Sequence, residues 1–215
     1  VMFFDFSRDG FLMGTTYNLE KKNDDYVLNS VLSSLSLDKD FLVEANQVHQ
    51  DRVLTVDSPG LYDSCDGFIA ESKLILLIKT ADCIPVFIYD KNKKKYGMIH
   101  AGWRGVQKKI HVNALNKFLD LKSNLKDINV FLGPSIKQCC FEIKDDVVKL
   151  FDSKFIIKRN NSFYLDLNEC IKYDLLNMGL KNISQSNICT YDNERCHSYR
   201  KHGPVSGRMF SFITY

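Results

Sequence analysis

Between residues 74 and 100 three short apolar runs follow one another, and they commit this part of the chain to β-structure. Leu74-Ile75-Leu76-Leu77-Ile78 has no polar position and reads as a buried strand. Pro85–Tyr89 and Tyr96–His100 are two further strands, joined by the turn sequence Asp90-Lys91-Asn92-Lys93. Phe41–Ala45 and Arg52–Val56 read as short strands around a polar turn. Ile128–Leu132 is a strand closed by Gly133-Pro134, and Met209–Ile213 is another. Helical spacing appears in three places. Val27, Leu28, Val31, Leu32 and Leu35 repeat along Asp24–Leu37, with Asp24 and Asp25 suited to its N-terminus. Val106, Ile110, Ala114, Phe118 and Leu121 share one face of the clearest helix, and Asp166 caps a third that runs to Met178 and stops at Gly179. Strands and helices interleave without a regular βαβ beat. No linker or repeat divides the chain, so the expectation is one α+β domain over residues 1–215, with mixed β-sheets flanked by helices.

Composition excludes several classes. With 45% hydrophobic and 26% charged residues, the chain is neither a disordered tail, nor a collagen, nor a coiled coil. The net charge is only +3, and the clusters Lys21-Lys22 and Lys93-Lys94-Lys95 lack interleaved aromatics, so no nucleic-acid partner is expected. No apolar run approaches the roughly 20 residues of a membrane helix, and Asp5 and Arg8 interrupt the first residues before a signal-peptide core forms. Seven cysteines without a CxxC pair fit free thiols in a reducing cytoplasm.

Three strand-to-turn junctions carry a soft-metal ligand: Asn46-Gln47-Val48-His49, Thr80-Ala81-Asp82-Cys83 and Ile99-His100-Ala101-Gly102. The intervals of 34 and 17 residues match no local zinc motif, so only the fold brings the three together. Two imidazoles and a thiolate suit Zn²⁺, and three protein ligands leave a fourth position open, as catalytic sites do. Three other readings stand beside this one. The residues serve as bonded turn histidines and a small core cysteine, or Cys83 is a hydrolase nucleophile with His100 as its base, or the set binds copper. A multicopper oxidase needs many more histidines than the five present, and Cys65 or Cys139 as a fourth ligand would indicate a closed structural site.

Longer strings add a resemblance. Gln47-Val48-His49, Asp66-Gly67, Thr80-Ala81-Asp82-Cys83-Ile84-Pro85-Val86, His100-Ala101-Gly102-Trp103-Arg104-Gly105, Gly133-Pro134-Ser135-Ile136 with Cys139-Cys140-Phe141-Glu142, and Ser198-Tyr199-Arg200 with Gly207-Arg208-Met209 resemble, in order, the motifs of the YfiH/laccase-domain family. The resemblance implies a YfiH-like fold and a zinc-dependent purine nucleoside phosphorylase acting on inosine, adenosine and S-methyl-5′-thioadenosine with phosphate, with adenosine deaminase activity besides. It places the metal ligands on His49, Cys83 and His100; members were earlier described as copper polyphenol oxidases. Asp192 stands where a second cysteine commonly follows the Cys-Thr-Tyr string, and Lys201-His202-Gly203-Pro204 is an uncommon insert; both are departures from the family's pattern.

Within that reading, Arg104 at the opening of the helix after His100 is expected to bind phosphate, or else to form a structural salt bridge. Asp82 is the nearest acid or base, or orients a metal-bound histidine, although strand alternation would turn it away from Cys83. Glu142 and Arg208 are expected substrate contacts, and Trp103 stacks on a base or packs the core. Cys139 and Cys140, pointing to different faces of an extended chain, read as packing residues.

Overall fold

The computed structural model describes residues 3–16 and 24–215. Two six-stranded mixed sheets form its centre. In the first, the strands run in the order Phe3–Asp5, Leu12–Thr16, Met209–Thr214, Ile75–Thr80, Leu42–Asn46 and Gly60–Asp63. In the second they run Ile183–Gln185, Ile128–Leu132, Ile84–Asp90, Lys95–Ala101, Gly67–Ala70 and Val53–Val56. A small third sheet joins Glu142–Ile143, Ser162–Leu165 and Ile156–Arg159.

Side-chain alternation along the strands sorts these sheets into layers. Ile84, Val86 and Ile88 face one way and pack with Ile110, Ala114, Leu115 and Phe118, whereas Phe87 and Tyr89 face the other way and pack with Met13, Leu76 and Ile78. Ile75 and Leu77 then meet Val27, Leu28, Val31 and Leu32 of the Asp24–Ser34 helix. The order is therefore helix, sheet, sheet, helix. Each central strand is covered on both faces, which is why Ile84–Asp90 is buried at every position. The expected α+β architecture of mixed sheets flanked by helices is what the chain forms. No helix among the described residues is long and apolar enough to cross a membrane.

Most expected elements stand within one or two residues of their expected limits. Asp166 caps the Leu167–Asn177 helix by accepting from the Glu169 amide at 2.9 Å, and Gly179 follows at φ +89°. Replacing Asp166 by alanine should lower stability by about 1 kcal/mol, measurable by urea denaturation. The two short strands expected around the polar turn form as Leu42–Asn46 and Val53–Val56 and pair into different sheets. One expectation needs correction. The helix read from Val106 to Leu121 is two helices, Trp103–Gln107 and Ile110–Asp120, separated by Lys109 at φ +64°. That left-handed residue costs about 1 kcal/mol and is held by Asp174, which accepts from Lys109 Nζ and from His111 Nε2 at 2.8 Å each. Apolar spacing survives the break, so periodicity alone does not reveal it.

Candidate metal centre and adjoining pocket

The hairpin Ile84–Asp90/Lys95–Ala101 sets the site. Its antiparallel register puts Pro85 opposite His100 and Ile84 opposite Ala101, so Cys83, one residue before the first strand, arrives beside the end of the second. His49 comes from the loop after Leu42–Asn46. Gln47 docks that loop on the neighbouring strand as a backbone segment would: its Nε2 donates to the Lys79 carbonyl at 2.9 Å, and the Lys79 amide donates to its Oε1 at 2.8 Å. The ligand atoms of His49, Cys83 and His100 all lie within 4.8 Å of one another, and the two imidazoles meet edge to face with centroids 4.6 Å apart. His100 is buried, Cys83 half-buried and His49 exposed, which leaves the group open on the His49 side.

Asp66 holds the arrangement together. It is fully buried and immediately precedes the Gly67–Ala70 strand. Its Oδ1 accepts from the His49 amide at 2.9 Å, and its Oδ2 from the amides of Val48 (3.2 Å) and Gln50 (2.8 Å). This cradle keeps His49 at φ +58°, a conformation a side-chain-bearing residue rarely adopts. Oδ1 also meets His100 Nδ1 at 2.7 Å, fixing the tautomer that leaves Nε2 free for a ligand. Burial alone would raise the Asp66 carboxyl, but the bonds from His100, Gln50 and His49 hold it below the usual carboxylate range.

The same geometry activates Cys83. Burial pushes its thiol up, yet the charges and hydrogen bonds of His100 and His49 bring it down to about 6, while the thiolate and Asp66 lift His100 to about 9 against burial. A thiolate and an imidazole backed by a carboxylate, with a second imidazole converging, suit a thiophilic divalent metal such as zinc. The backbone makes room for the group. A Cβ on Gly102 would stand 3.1 Å from Cys83 Sγ and 3.4 Å from His49 Cδ2, and one on Gly105 would stand 2.8 Å from the Gln50 carbonyl oxygen. The two glycines of His100-Ala101-Gly102-Trp103-Arg104-Gly105 thus let the Trp103–Gln107 helix close on the His49 loop. Gly105→Ala should destabilise the protein by about 1–3 kcal/mol and lower its bound metal, read by denaturation and metal analysis.

Other expected site residues fall nearby with different partners. Asp82 lies in the bend before Cys83 at φ +88°, and its carboxylate accepts from Thr190 Oγ1 and from the Arg200 amide, both at 2.7 Å. Strand alternation does not apply in this bend; the Asp82 carboxylate is taken up by Thr190 and Arg200, and the position backing a histidine belongs to Asp66. Trp103, Phe141, Glu142, Ile143, Val147 and Arg200 line much of a pocket of about 500 Å³, a size suited to a small organic ligand. His49, Cys83 and His100 are not among its lining residues; Trp103, three positions after His100, and Arg200, whose amide donates to Asp82, tie its wall to the segments that carry the metal group. Glu142 accepts from Ser162 Oγ at 2.7 Å, and its carbonyl accepts from Arg200 Nη1 at 2.7 Å. The Arg104 guanidinium stacks over the Trp103 ring at 4.2 Å and has no ion-pair partner among the described residues. Arg208 donates to the carbonyls of Ser206 and Gly207 and does not line this pocket.

Sequence reasoning gave no role to Asp66, Thr190 or Arg200. Asp66-Gly67 and Ser198-Tyr199-Arg200 belong to the strings that resemble the family, but nothing local ties them to His100 or Asp82. Neither Cys65 nor Cys139 joins the three-residue metal group among the described residues. Cys139 and Cys140 do not diverge on an extended strand; they lie in a tight turn with their sulfurs 3.1 Å apart.

Fold and site together define an α+β protein of two mixed sheets carrying a carboxylate-backed His₂Cys group able to hold a metal ion. Residues 18–215 match the family described as multi-copper polyphenol oxidoreductase laccase, and the chain belongs to that family. It is similar to a purine nucleoside phosphorylase of Clostridium acetobutylicum, 34% identical over 177 residues, covering 78% of this chain and 74% of the relative. A purine nucleoside phosphorylase of Borreliella burgdorferi is 32% identical over 165 residues, 72% of each chain. Among solved structures, the hypothetical protein YfiH of Bacillus licheniformis superposes with a TM-score of 0.87 at 25% identity, covering 95% of this chain and 92% of its own.

Proposed function

We propose that this chain is a zinc-dependent purine nucleoside phosphorylase. It cleaves inosine, adenosine and S-methyl-5′-thioadenosine with phosphate to the free base and ribose 1-phosphate or its methylthio counterpart, with adenosine deamination as a side activity. The observation that carries the reading is the convergence of His49, Cys83 and His100 beside the pocket of Trp103, Glu142 and Arg200. The names of the relatives support the reaction class.

His49, Cys83 and His100 hold the metal. A zinc ion bound there supplies Lewis acidity, which deamination at the purine C6 uses. In phosphorolysis the bond from the ribose C1′ to the purine nitrogen breaks, a bond from C1′ to an oxygen of hydrogen phosphate forms, and the proton that the phosphate gives up ends on the departing base. The chain's part is to hold these reactants in register. The indole of Trp103 at the pocket wall offers a face for the purine. The Arg104 guanidinium, stacked on that indole, binds the phosphate dianion. Asp82 has both oxygens engaged and acts as a positioning residue, fixing the segment that carries Arg200. Glu142 and Arg208 serve as weaker substrate contacts, Glu142 from the pocket wall and Arg208 from beyond it.

Chromatography of purified protein with inosine, with and without phosphate, tests the reading. Hypoxanthine and ribose 1-phosphate should appear only when phosphate is present, and no base release under either condition would overturn it. Arg104→Ala should raise the apparent KM for phosphate at least about tenfold while that for inosine changes little; equal changes would remove the phosphate assignment.

The low Cys83 value favours one other reading, a cysteine hydrolase with His100 as base. Alkylation separates the two. In metal-free protein iodoacetamide should modify Cys83 at a rate that rises through about pH 6 and levels above it, where the thiolate predominates. Stoichiometric zinc should abolish that reaction; a Cys83 that stays reactive with zinc bound would favour the hydrolase.

A further inference from the structure

A second group of thiols lies apart from the centre described above. The sulfurs of Cys139, Cys140 and Cys189 and a carboxylate oxygen of Asp192 all lie within 4.8 Å of one another. Cys139 Sγ stands 3.1 Å from Cys140 Sγ, 3.6 Å from Cys189 Sγ and 3.6 Å from Asp192 Oδ2, and Cys140 Sγ stands 3.4 Å from the same oxygen. A tetrahedral zinc ion with sulfur ligands at about 2.3 Å and an oxygen ligand at about 2.1 Å requires ligand separations of about 3.8 Å between sulfurs and about 3.6 Å from sulfur to oxygen. The Cys139–Cys189 separation and the two sulfur-to-oxygen separations stand close to those edges, and Cys139 and Cys140 would move apart by about 0.7 Å to take up an ion.

We propose that Cys139, Cys140, Cys189 and Asp192 form a second, structural site for a thiophilic divalent cation of the zinc class. Four protein ligands close the coordination sphere, in contrast to the three of the first centre. As each S–Zn bond forms, its thiol gives a proton to solvent, so three protons leave on binding. Burial, neighbouring sulfur and Asp192 push the Cys140 thiol well above the ordinary range, and burial moves Cys139 in the same direction.

The surroundings fit an anionic cluster. Three thiolates and a carboxylate around a divalent ion leave a net charge of −2. The Lys137 amide donates to Cys189 Sγ at 3.5 Å, and Arg159 donates to the Cys139 carbonyl at 2.7 Å. Burial lowers the Lys137 ammonium to about 8, and a charged cluster beside it would favour the protonated form. The site would staple the 137–140 turn to the 189–192 segment. Thr190, inside that segment, bonds Asp82 next to Cys83. The staple would therefore hold one wall of the first centre without touching substrate.

Cobalt(II) titration of full-length protein, followed by sulfur-to-cobalt absorption, tests the site independently of catalysis. A Cys83→Ser variant, in which the first centre lacks sulfur, should still bind one equivalent with strong absorption. The same protein carrying Cys139→Ser and Cys140→Ser should lose at least about nine-tenths of that absorption while its circular dichroism stays unchanged. No sulfur-to-cobalt absorption in the first protein, or equal absorption in both, overturns the proposal. A gain-of-ligand variant guards against misfolding of the double substitution: Asp192→Cys should tighten cobalt binding at least about tenfold, and unchanged affinity would remove Asp192 from the site.

Discussion

Cys83→Ala should leave the protein folded yet lower phosphate-dependent release of hypoxanthine from inosine by at least about 10³-fold. Loss of the only anionic donor of the first centre removes several kcal/mol of charge stabilisation, and about 4 kcal/mol corresponds to that factor. The fold should tolerate the change because Cys83 is half-buried and the substitution removes a single heavy atom. Metal content should fall in parallel, by one equivalent per chain. Retention of more than about a tenth of the wild-type rate would detach the reaction from this centre. Adenosine deamination should be lost with it, since the proposed Lewis acidity for that reaction comes from the ion this group would hold.

Asp66 should prove the more damaging position for the fold. Asp66→Ala removes the acceptor of three backbone amides and one imidazole from a fully buried site. Breaking a buried, hydrogen-bonded charge pair costs about 3–5 kcal/mol, and the left-handed His49 would lose what holds it. Asp66→Asn keeps the shape but turns an amide N–H₂ towards groups that are themselves donors; it should lower zinc affinity about 10–100-fold as well as stability. The pH dependence follows from the direction of the shift. A carboxyl held below its unfolded value stabilises the fold above about pH 4, and that contribution fades as pH falls through the folded value. Urea denaturation of the wild type and Asp66→Asn with metal chelated should therefore show the largest gap between about pH 4 and 6.5, narrowing below that range as the carboxyl protonates and above it as His100, raised to about 9 with the help of Asp66, loses its proton. A gap under about 1 kcal/mol at pH 7 would mean that Asp66 does not carry the cradle.

Much of this was legible in the chain. Leu74–Ile78, Pro85–Tyr89 and Tyr96–His100 are strands because their apolar runs have no competing helical spacing, and Asp166 and Gly179 delimit a helix by local chemistry alone. The three donors of the first centre were legible as residue types at strand ends. What remained hidden depends on distance along the chain. Asp66 lies 34 positions from His100, and Asp82 lies 108 and 118 positions from its partners Thr190 and Arg200. Short strands such as Glu142–Ile143 and Ile183–Gln185 carry too few residues to show a period. The turn that brings Cys139 and Cys140 together is set by its tertiary bonds, among them Arg159 to the Cys139 carbonyl.

The position of Met209–Thr214 in its sheet has a kinetic consequence. This strand lies between Leu12–Thr16 and Ile75–Thr80, and the hydroxyls of Thr15 and Ser211 bond across 196 positions. A ribosome must therefore extrude residue 214 before the two halves of that sheet can join. Until then Ile75–Thr80 and Leu12–Thr16 both expose open backbone edges, and the Lys79 groups on which Gln47 docks belong to an unfinished sheet. Such long-range pairing is slow to form and leaves nascent chains prone to edge-to-edge association. The His49, Cys83 and His100 group, built from the first half of the chain, thus waits for the last strand before the sheet on which Gln47 docks is complete.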